Sequence, residues 1–361
     1  MGYRYIGAKS KIVDEVVTEI ARNVPDHSTI ADLMCGTATV SSALRDAGYN
    51  VIANDVMTYS YHHARVELCM SMSPEFAGAS SFIEENYCAE SNDLFPPSSS
   101  YDRMLNALNH TTPIKGYFHR ELGPGGSPAN TEKPRIYFTQ ENAMKIDGIR
   151  AAINQLSQSA AISDLERSLL LHDLIMAAND VANIAGTYGH YLSKIRGRAM
   201  ESLKLYPSEF RRVNNDGKHV VMQGYAEELA GKIKCDLCYI DPPYMKRQYA
   251  ANYHVLETLA RGDDPEAIGV SGLRPWRDQY SNFCTKTKIR DSFRSIFSQM
   301  NCPQFLVSYS EDGLLSIEQL EELLAEFGRV KTRKFQHKRF KSNVNNSRPT
   351  IDEFLIHLVK A

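Results

Sequence analysis

Thr29–Asp55, TIADLMCGTATVSSALRDAGYNVIAND, decides the fold. Thr29 to Met34 reads as a short buried strand, and a tight turn follows around Gly36. A helix is expected from about Ala38 to Ala47, with Gly48 as its C-terminal cap. Asn50 to Asn54 reads as a second strand and ends at Asp55. Strand, glycine turn, helix, strand and then an acid is a βαβ nucleotide unit. Asp55 follows Gly36 by nineteen residues, the usual distance for a carboxylate that grips ribose hydroxyls. A parallel α/β sheet is therefore expected.

Working outward, Ile12, Val13, Val16, Val17, Ile20 and Val24 repeat at helical spacing and Pro25 closes that helix. From about residue 74 to 215 the character changes. Pro96-Pro97-Ser-Ser-Ser and Gly123-Pro-Gly-Gly-Ser-Pro128 are punctuation, and Ser163-Asp-Leu-Glu166 is a capping box ahead of an apolar helical run. This predicts an inserted, mostly helical domain at 74–215 that interrupts a domain built from 1–73 and 216–361. Further strands are expected at His219–Met222, Asp236–Ile240, Gln304–Ser308, Arg329–Gln336 and Phe354–Val359. No helical pattern separates the last two, so they should pair as an antiparallel hairpin on an otherwise parallel sheet. Dinucleotide dehydrogenases lack that hairpin and methyltransferases have it.

Composition narrows the class. The 361 residues are 43% hydrophobic and 23% charged, enough for a real core. No apolar run approaches the roughly 20 residues of a membrane span, and the amino terminus has no signal-peptide pattern. Seven cysteines without an export signal point to reduced thiols in a cytoplasmic protein. Cys235 and Cys238 have C-x-x-C spacing inside a predicted strand and read as buried small side chains, and no metal motif is present. The net charge of −2 conceals an asymmetry: eight Lys/Arg and no Asp/Glu lie between Arg329 and Ile351. Lys194, Arg196, Arg198, Lys204, Arg211 and Arg212 make a second excess. Such single-sign patches suggest a bound polyanion.

The chemistry concentrates in Asp241-Pro242-Pro243-Tyr244, after the apolar run Cys235–Ile240. Each proline fixes its own φ and lacks an N–H, which leaves nearby carbonyls free to face a ligand. A carboxylate and a carbonyl beside an aromatic face suit a planar ring with an exocyclic amine.

Tyr5-Ile-Gly-Ala-Lys9, Asp32-Leu-Met-Cys-Gly36-Thr, Asp55 and Asp241-Pro-Pro-Tyr244, in that order, resemble the Dam-type N6-adenine-specific DNA methyltransferases. Arg135–Asn142, Asp180–Asn183, Tyr188-Gly189, Asn252–Leu256 and Lys338–Asn343 are similar to the branch found in type II restriction-modification systems. The resemblance covers nearly the whole chain. It implies a Rossmann-like class I methyltransferase sheet with a C-terminal antiparallel hairpin, and makes the helical insert a target-recognition domain.

The resemblance further implies S-adenosylmethionine as cofactor, held by Tyr5, Lys9, Asp32, Gly36, Asp55 and Asp241, with Asp241, Pro242, Pro243 and Tyr244 catalytic. The implied partner is double-stranded DNA, contacted by Lys194, Arg196, Arg198, Lys246, Arg247, Tyr253, Lys338, Arg339 and Lys341. A separately encoded restriction endonuclease is a further expected partner. Where the family has a second loop glycine this chain has Ala38, whose methyl is compatible with a negative φ and is expected to weaken cofactor binding. The rival readings are an N4-cytosine DNA methyltransferase and a catalytically silent DNA-binding module of the same fold. Methylation of RNA or of a protein glutamine ranks below both.

Overall fold

The computed structural model describes residues 9–88, 99–210, 217–338 and 350–361. They form two compact units: 9–68, 217–250, 279–338 and 350–361 in one, and 69–88, 99–210 and 251–278 in the other.

The first unit is built on seven strands: β1 (Thr29–Asp32), β2 (Asn50–Asp55), β3 (Val220–Gln223), β4 (Leu237–Ile240), β5 (Gln304–Ser310), β6 (Gly328–Lys338) and β7 (Thr350–Lys360). Their spatial order is β3-β2-β1-β4-β5-β7-β6. The first five run parallel, and β7 lies antiparallel between β5 and β6. This is the expected sheet, with the expected hairpin at its edge. Side chains alternate between two buried faces. Leu237 and Tyr239 of β4 pack with Ile30, Val51 and the helices Val13–Ala21 and Thr39–Asp46. Cys238 and Ile240 pack on the other face with Phe293, Phe297, Leu320 and Leu324 of the helices Ile289–Gln299 and Ile317–Ala325. Helices on both faces explain why the central strand β4, Leu-Cys-Tyr-Ile, is apolar and buried throughout.

Strand order reverses between β1 and β4. In open α/β sheets such a switch point, at the carboxyl ends of the strands, is where ligands bind. Asp32 ends β1 and Asp241 directly follows β4, so the topology brings them to one crevice.

The second unit is mostly helical, with long helices Gln140–Gln158 and Asp164–Asp180. The Ser163–Glu166 capping box forms as expected. The family-like blocks form this unit's polar core. Tyr137 Oη donates to Tyr188 O at 2.8 Å, Asn183 N to Tyr137 O at 2.8 Å, and Tyr188 N to Asn252 O at 2.8 Å. The boundary differs from expectation in two respects: residues 69–73 belong here, and so do residues 251–278, which were expected with the sheet. The helix His254–Arg261 is the reason, since Val255, Leu256 and Leu259 are buried and Glu257 is fully covered beside Arg261. Residues 201–208 run extended, hooked by side-chain amides that imitate a strand partner. Asn142 bonds Glu201 O and Leu203 N, and Asn109 bonds Leu205 O and N, all at 2.8–3.0 Å.

All seven cysteines are free thiols. Among the described residues no helix is long and apolar enough to cross a membrane, and no group of His, Cys, Asp and Glu is arranged to hold a metal.

Candidate active site

The loop after β1 is shaped by hydrogen bonds from its neighbours. Cys35 N donates to Asn54 O at 2.9 Å, and Gly36, at φ 53°, donates to Asp55 Oδ2 at 2.9 Å. Asp55 Oδ1 accepts from Met57 N at 2.9 Å, so this carboxylate ties the glycine turn to the end of β2. Ala38 has φ 60°, not the negative value its methyl prefers. A left-handed alanine costs about 1 kcal/mol, offset here by the bonds Ala38 N to Cys35 O (2.7 Å) and Ser42 N to Ala38 O (2.8 Å).

Asp32 is 1% exposed, and its Oδ2 accepts from Ser41 Oγ at 2.6 Å. Its Oδ1 is buried without a partner, as is Asn54 Oδ1 nearby, whose amide nitrogen bonds Leu33 O. Burial, which outweighs the Ser41 bond, and then the charges of Asp241 and Asp55 push Asp32 up to about 7. Three acids thus gather at the ends of β1, β2 and β4, and Asp32 and Asp241 keep lone pairs unspent. Their mutual repulsion is relieved by a cation, and a sulfonium or ammonium group fits that demand.

Across the crevice, Lys9 Nζ lies 3.1 Å from Asp241 Oδ1 and 3.3 Å from Glu353 Oε2 on β7. The aligned hydrogen bond goes to Glu353, while Asp241 Oδ1 is buried without one. Burial works against the ammonium, yet Asp241 and Glu353 outweigh it and hold Lys9 well above the ordinary lysine value. Burial raises Asp241 to about 6, with Lys9 opposing and Glu353 adding to the rise. Tyr244 stands 5.3 Å (ring centroid) from Lys9 Nζ and edge-on to Tyr309 at 5.9 Å, and its carbonyl accepts from Leu314 N. The tetrapeptide is therefore anchored from both sides.

Asp32, Gly36, Asp55 and Asp241 converge on this crevice, with Lys9 behind Asp241. Lys9 is occupied by two carboxylates, an arrangement its motif does not announce, and nothing in the sequence singles out Glu353. Tyr253 does not have the exposed position expected of a DNA contact: it is fully buried, its ring edge-on to Tyr188. Lys194, Arg196, Arg198, Lys246 and Arg247 are exposed. The basic run after Arg329 is partly neutralised, since Arg333 pairs with Glu19 (3.1 Å) and Lys334 with Asp352 (2.6 Å). Lys338 ends β6. Tyr5, Arg211, Arg212, Arg339 and Lys341 lie outside the described residues.

A family model described as D12 class N6 adenine-specific DNA methyltransferase matches residues 5–323. The chain is 32% identical to the type II methyltransferase M.FokI of Planomicrobium okeanokoites, over 99% of this chain and 52% of that protein. It is 31% identical to the type II methyltransferase M.NlaIII of Neisseria lactamica, over 95% and 94% respectively. With the type II methyltransferase M.CviAII of Paramecium bursaria Chlorella virus 1 it shares 30% identity, over 97% and 96%. The chain therefore spans about half the length of the first relative and nearly all of the other two.

Proposed function

The chain belongs to the D12 class N6 adenine-specific DNA methyltransferases, and on that premise we propose that it methylates the N6 amino group of an adenine flipped out of double-stranded DNA, using S-adenosylmethionine. The observation that carries this reading is a buried Asp241 oxygen without an aligned donor, at the head of Pro242-Pro243-Tyr244.

The adenine amine shares its lone pair with the ring and is a poor nucleophile. Asp241 and the Pro242 carbonyl accept its two N–H groups, which lets the nitrogen pyramidalise. Tyr244 supports the ring by stacking, offsetting part of the few kcal/mol that flipping costs. S-adenosylmethionine, when bound, supplies a methyl on a sulfonium; Asp32, Asp55 and the turn at Gly36 are the residues that would hold it. The protein's part is positioning and electrostatics. Cys35 is no nucleophile, because burial, then Asp55 and Asp32, hold its thiol well above the usual range.

Ionised Asp241 is the stronger acceptor. Single-turnover transfer is therefore expected to fall as pH drops through about 6, or somewhat lower once a sulfonium favours the carboxylate. A rate that is flat down to pH 4 would contradict this. The helical unit is the proposed reader of sequence, with Lys194, Arg196 and Arg198 on phosphates or base edges. Lys246, Arg247 and the end of β6 supply further positive charge. Replacing Lys194, Arg196 and Arg198 with alanine should flatten the log–log salt dependence of DNA binding by about 0.9 for each phosphate left without its cation. An unaltered slope would remove all three from the phosphate backbone. The proposed setting is the cytoplasm, beside a restriction endonuclease encoded separately.

Methyl-labelled S-adenosylmethionine, incubated with the protein and duplex DNA and followed by nucleoside digestion, tests the function. Label in N6-methyldeoxyadenosine is expected. Label in N4-methyldeoxycytidine, or none in DNA, would favour the rival readings.

A further inference from the structure

Asn142, which closes the Arg135–Asn142 block, takes no part in methyl transfer. It is buried and spends its amide on a neighbouring segment: Nδ2 donates to Glu201 O and Oδ1 accepts from Leu203 N, both at 2.8 Å. Asn109 does the same two residues on, donating to Leu205 O at 3.0 Å and accepting from Leu205 N at 2.8 Å. Ser208 ends the run, its N–H on Tyr101 Oη at 3.0 Å and its hydroxyl on Asp173 Oδ1 at 2.7 Å. Leu203 and Leu205 are buried, so the alternation of an extended chain turns Ser202, Lys204 and Tyr206 outward. We infer that residues 201–206 are a sequence-reading strand for duplex DNA, in which Tyr206 is a specificity-determining residue and Asn142 and Asn109 are its positioning residues. The inference rests on the reading of the chain as a DNA methyltransferase whose helical unit reads sequence.

Fixing the register of this segment matters, because a slip of one residue would turn Tyr206 inward and Leu205 to solvent. Buried or half-buried side chains from three helices, Ser100–Asn109, Gln140–Gln158 and Asp164–Asp180, hold the one short run. What it displays is an aromatic ring and a cation: Tyr206 is 67% exposed, with Lys204 Nζ 5.9 Å from its ring centre. Charge identifies the occupant. From Lys194 to Tyr206 there are four Lys/Arg and one acid, Glu201. Burial, and then the charge of Lys204, hold Lys145 below the ordinary lysine value. Two ammonium groups therefore lie near each other here, a repulsion that an anion relieves. The phosphates of DNA supply that anion. Base edges supply partners for a Tyr206 hydroxyl that both donates and accepts, and for a ring that packs on a thymine methyl. Strands lie in DNA grooves for this purpose in other readers.

The test starts by mapping the recognition site: DNA from a host that lacks adenine methylation is treated with the full chain, and the N6-methyladenine positions are sequenced. Single-turnover methyl transfer is then measured on duplexes carrying that site and each of its single base-pair changes. Tyr206→Ala should lower discrimination about tenfold at one or two adjacent base pairs, the effect of one lost base contact, and leave it within about twofold elsewhere. Because the side chain is uncharged, the salt slope of DNA binding should not move. Asn109→Leu, similar in size but unable to make either bond, should relax the same positions. The double variant Tyr206→Ala/Asn109→Leu should be no less selective than Tyr206→Ala alone.

An unaltered base preference in Tyr206→Ala overturns the proposal. So does an equal loss of rate on every duplex, which would mark a structural role only. Relaxation in Asn109→Leu at positions that Tyr206→Ala leaves intact removes Asn109 as a positioning residue and counts against the proposal too. If the unsubstituted protein transfers no methyl to DNA, the functional reading fails first and this inference with it. A defined site for the unsubstituted protein, kept unchanged by Tyr206→Ala, defeats this inference alone.

Discussion

Asp241→Ala is expected to lower single-turnover methyl transfer by about 10²-fold or more, the cost of removing one essential polar contact to the reacting group. The fold should survive. Lys9, which Asp241 shares with Glu353 at 3.1 and 3.3 Å, keeps one carboxylate. The charge at Asp241 also contributes to pushing Asp32 up to about 7, so Asp32 should titrate lower in this variant. Binding of S-adenosylmethionine and DNA, measured at equilibrium, should change far less than the rate. Near-normal transfer would take Asp241 out of the chemistry.

Lys9→Met should have the largest effect on stability. It takes the Lys9 ammonium from beside Asp241 and Glu353, and breaking a buried pair in this way costs about 3–5 kcal/mol. Burial already raises Asp241 to about 6 with the ammonium present, and without it the value rises further. A carboxylate whose folded-state pKa lies above its unfolded value favours folding at low pH and loses that contribution as pH rises through the folded value. The deficit of Lys9→Met should therefore be greatest near pH 8 and shrink on acidification toward pH 5. Urea unfolding across that range checks the sign. A loss below about 1 kcal/mol at pH 8 would mean that Lys9 is not what holds these acids.

Much of the sheet was legible in the sequence because its signals are local. The run from Thr29 to Asp55 carries its strand, turn, helix and acid in order, and Ser163–Glu166 caps its helix as written. The missing helix between β6 and β7 was enough to predict their antiparallel pairing. The tetrapeptide stood out because two prolines after an apolar strand are conspicuous.

What stayed hidden depends on residues distant in sequence. Glu353 lies 344 residues from Lys9, and nothing around it distinguishes it from any other acid on a strand. A linear count of charge could not show Arg333 and Lys334 neutralised by Glu19 and Asp352. Tyr253 follows the catalytic loop closely enough to suggest a DNA contact, but the chain crosses into the helical unit at residue 251 and the ring is buried there. Ala38 shows the same limit at the backbone. Residue type argues for negative φ, while the turn after β1 demands a left-handed residue and its hydrogen bonds hold one there.

The most direct measurement is a crystal structure of the protein with duplex DNA and a non-transferable S-adenosylmethionine analogue. The expected result is an extrahelical adenine over the Tyr244 ring, its N6 within about 3 Å of an Asp241 carboxylate oxygen and of the Pro242 carbonyl, facing the sulfonium position. An adenine left stacked in the duplex, or an amine bound away from Asp241, would contradict it.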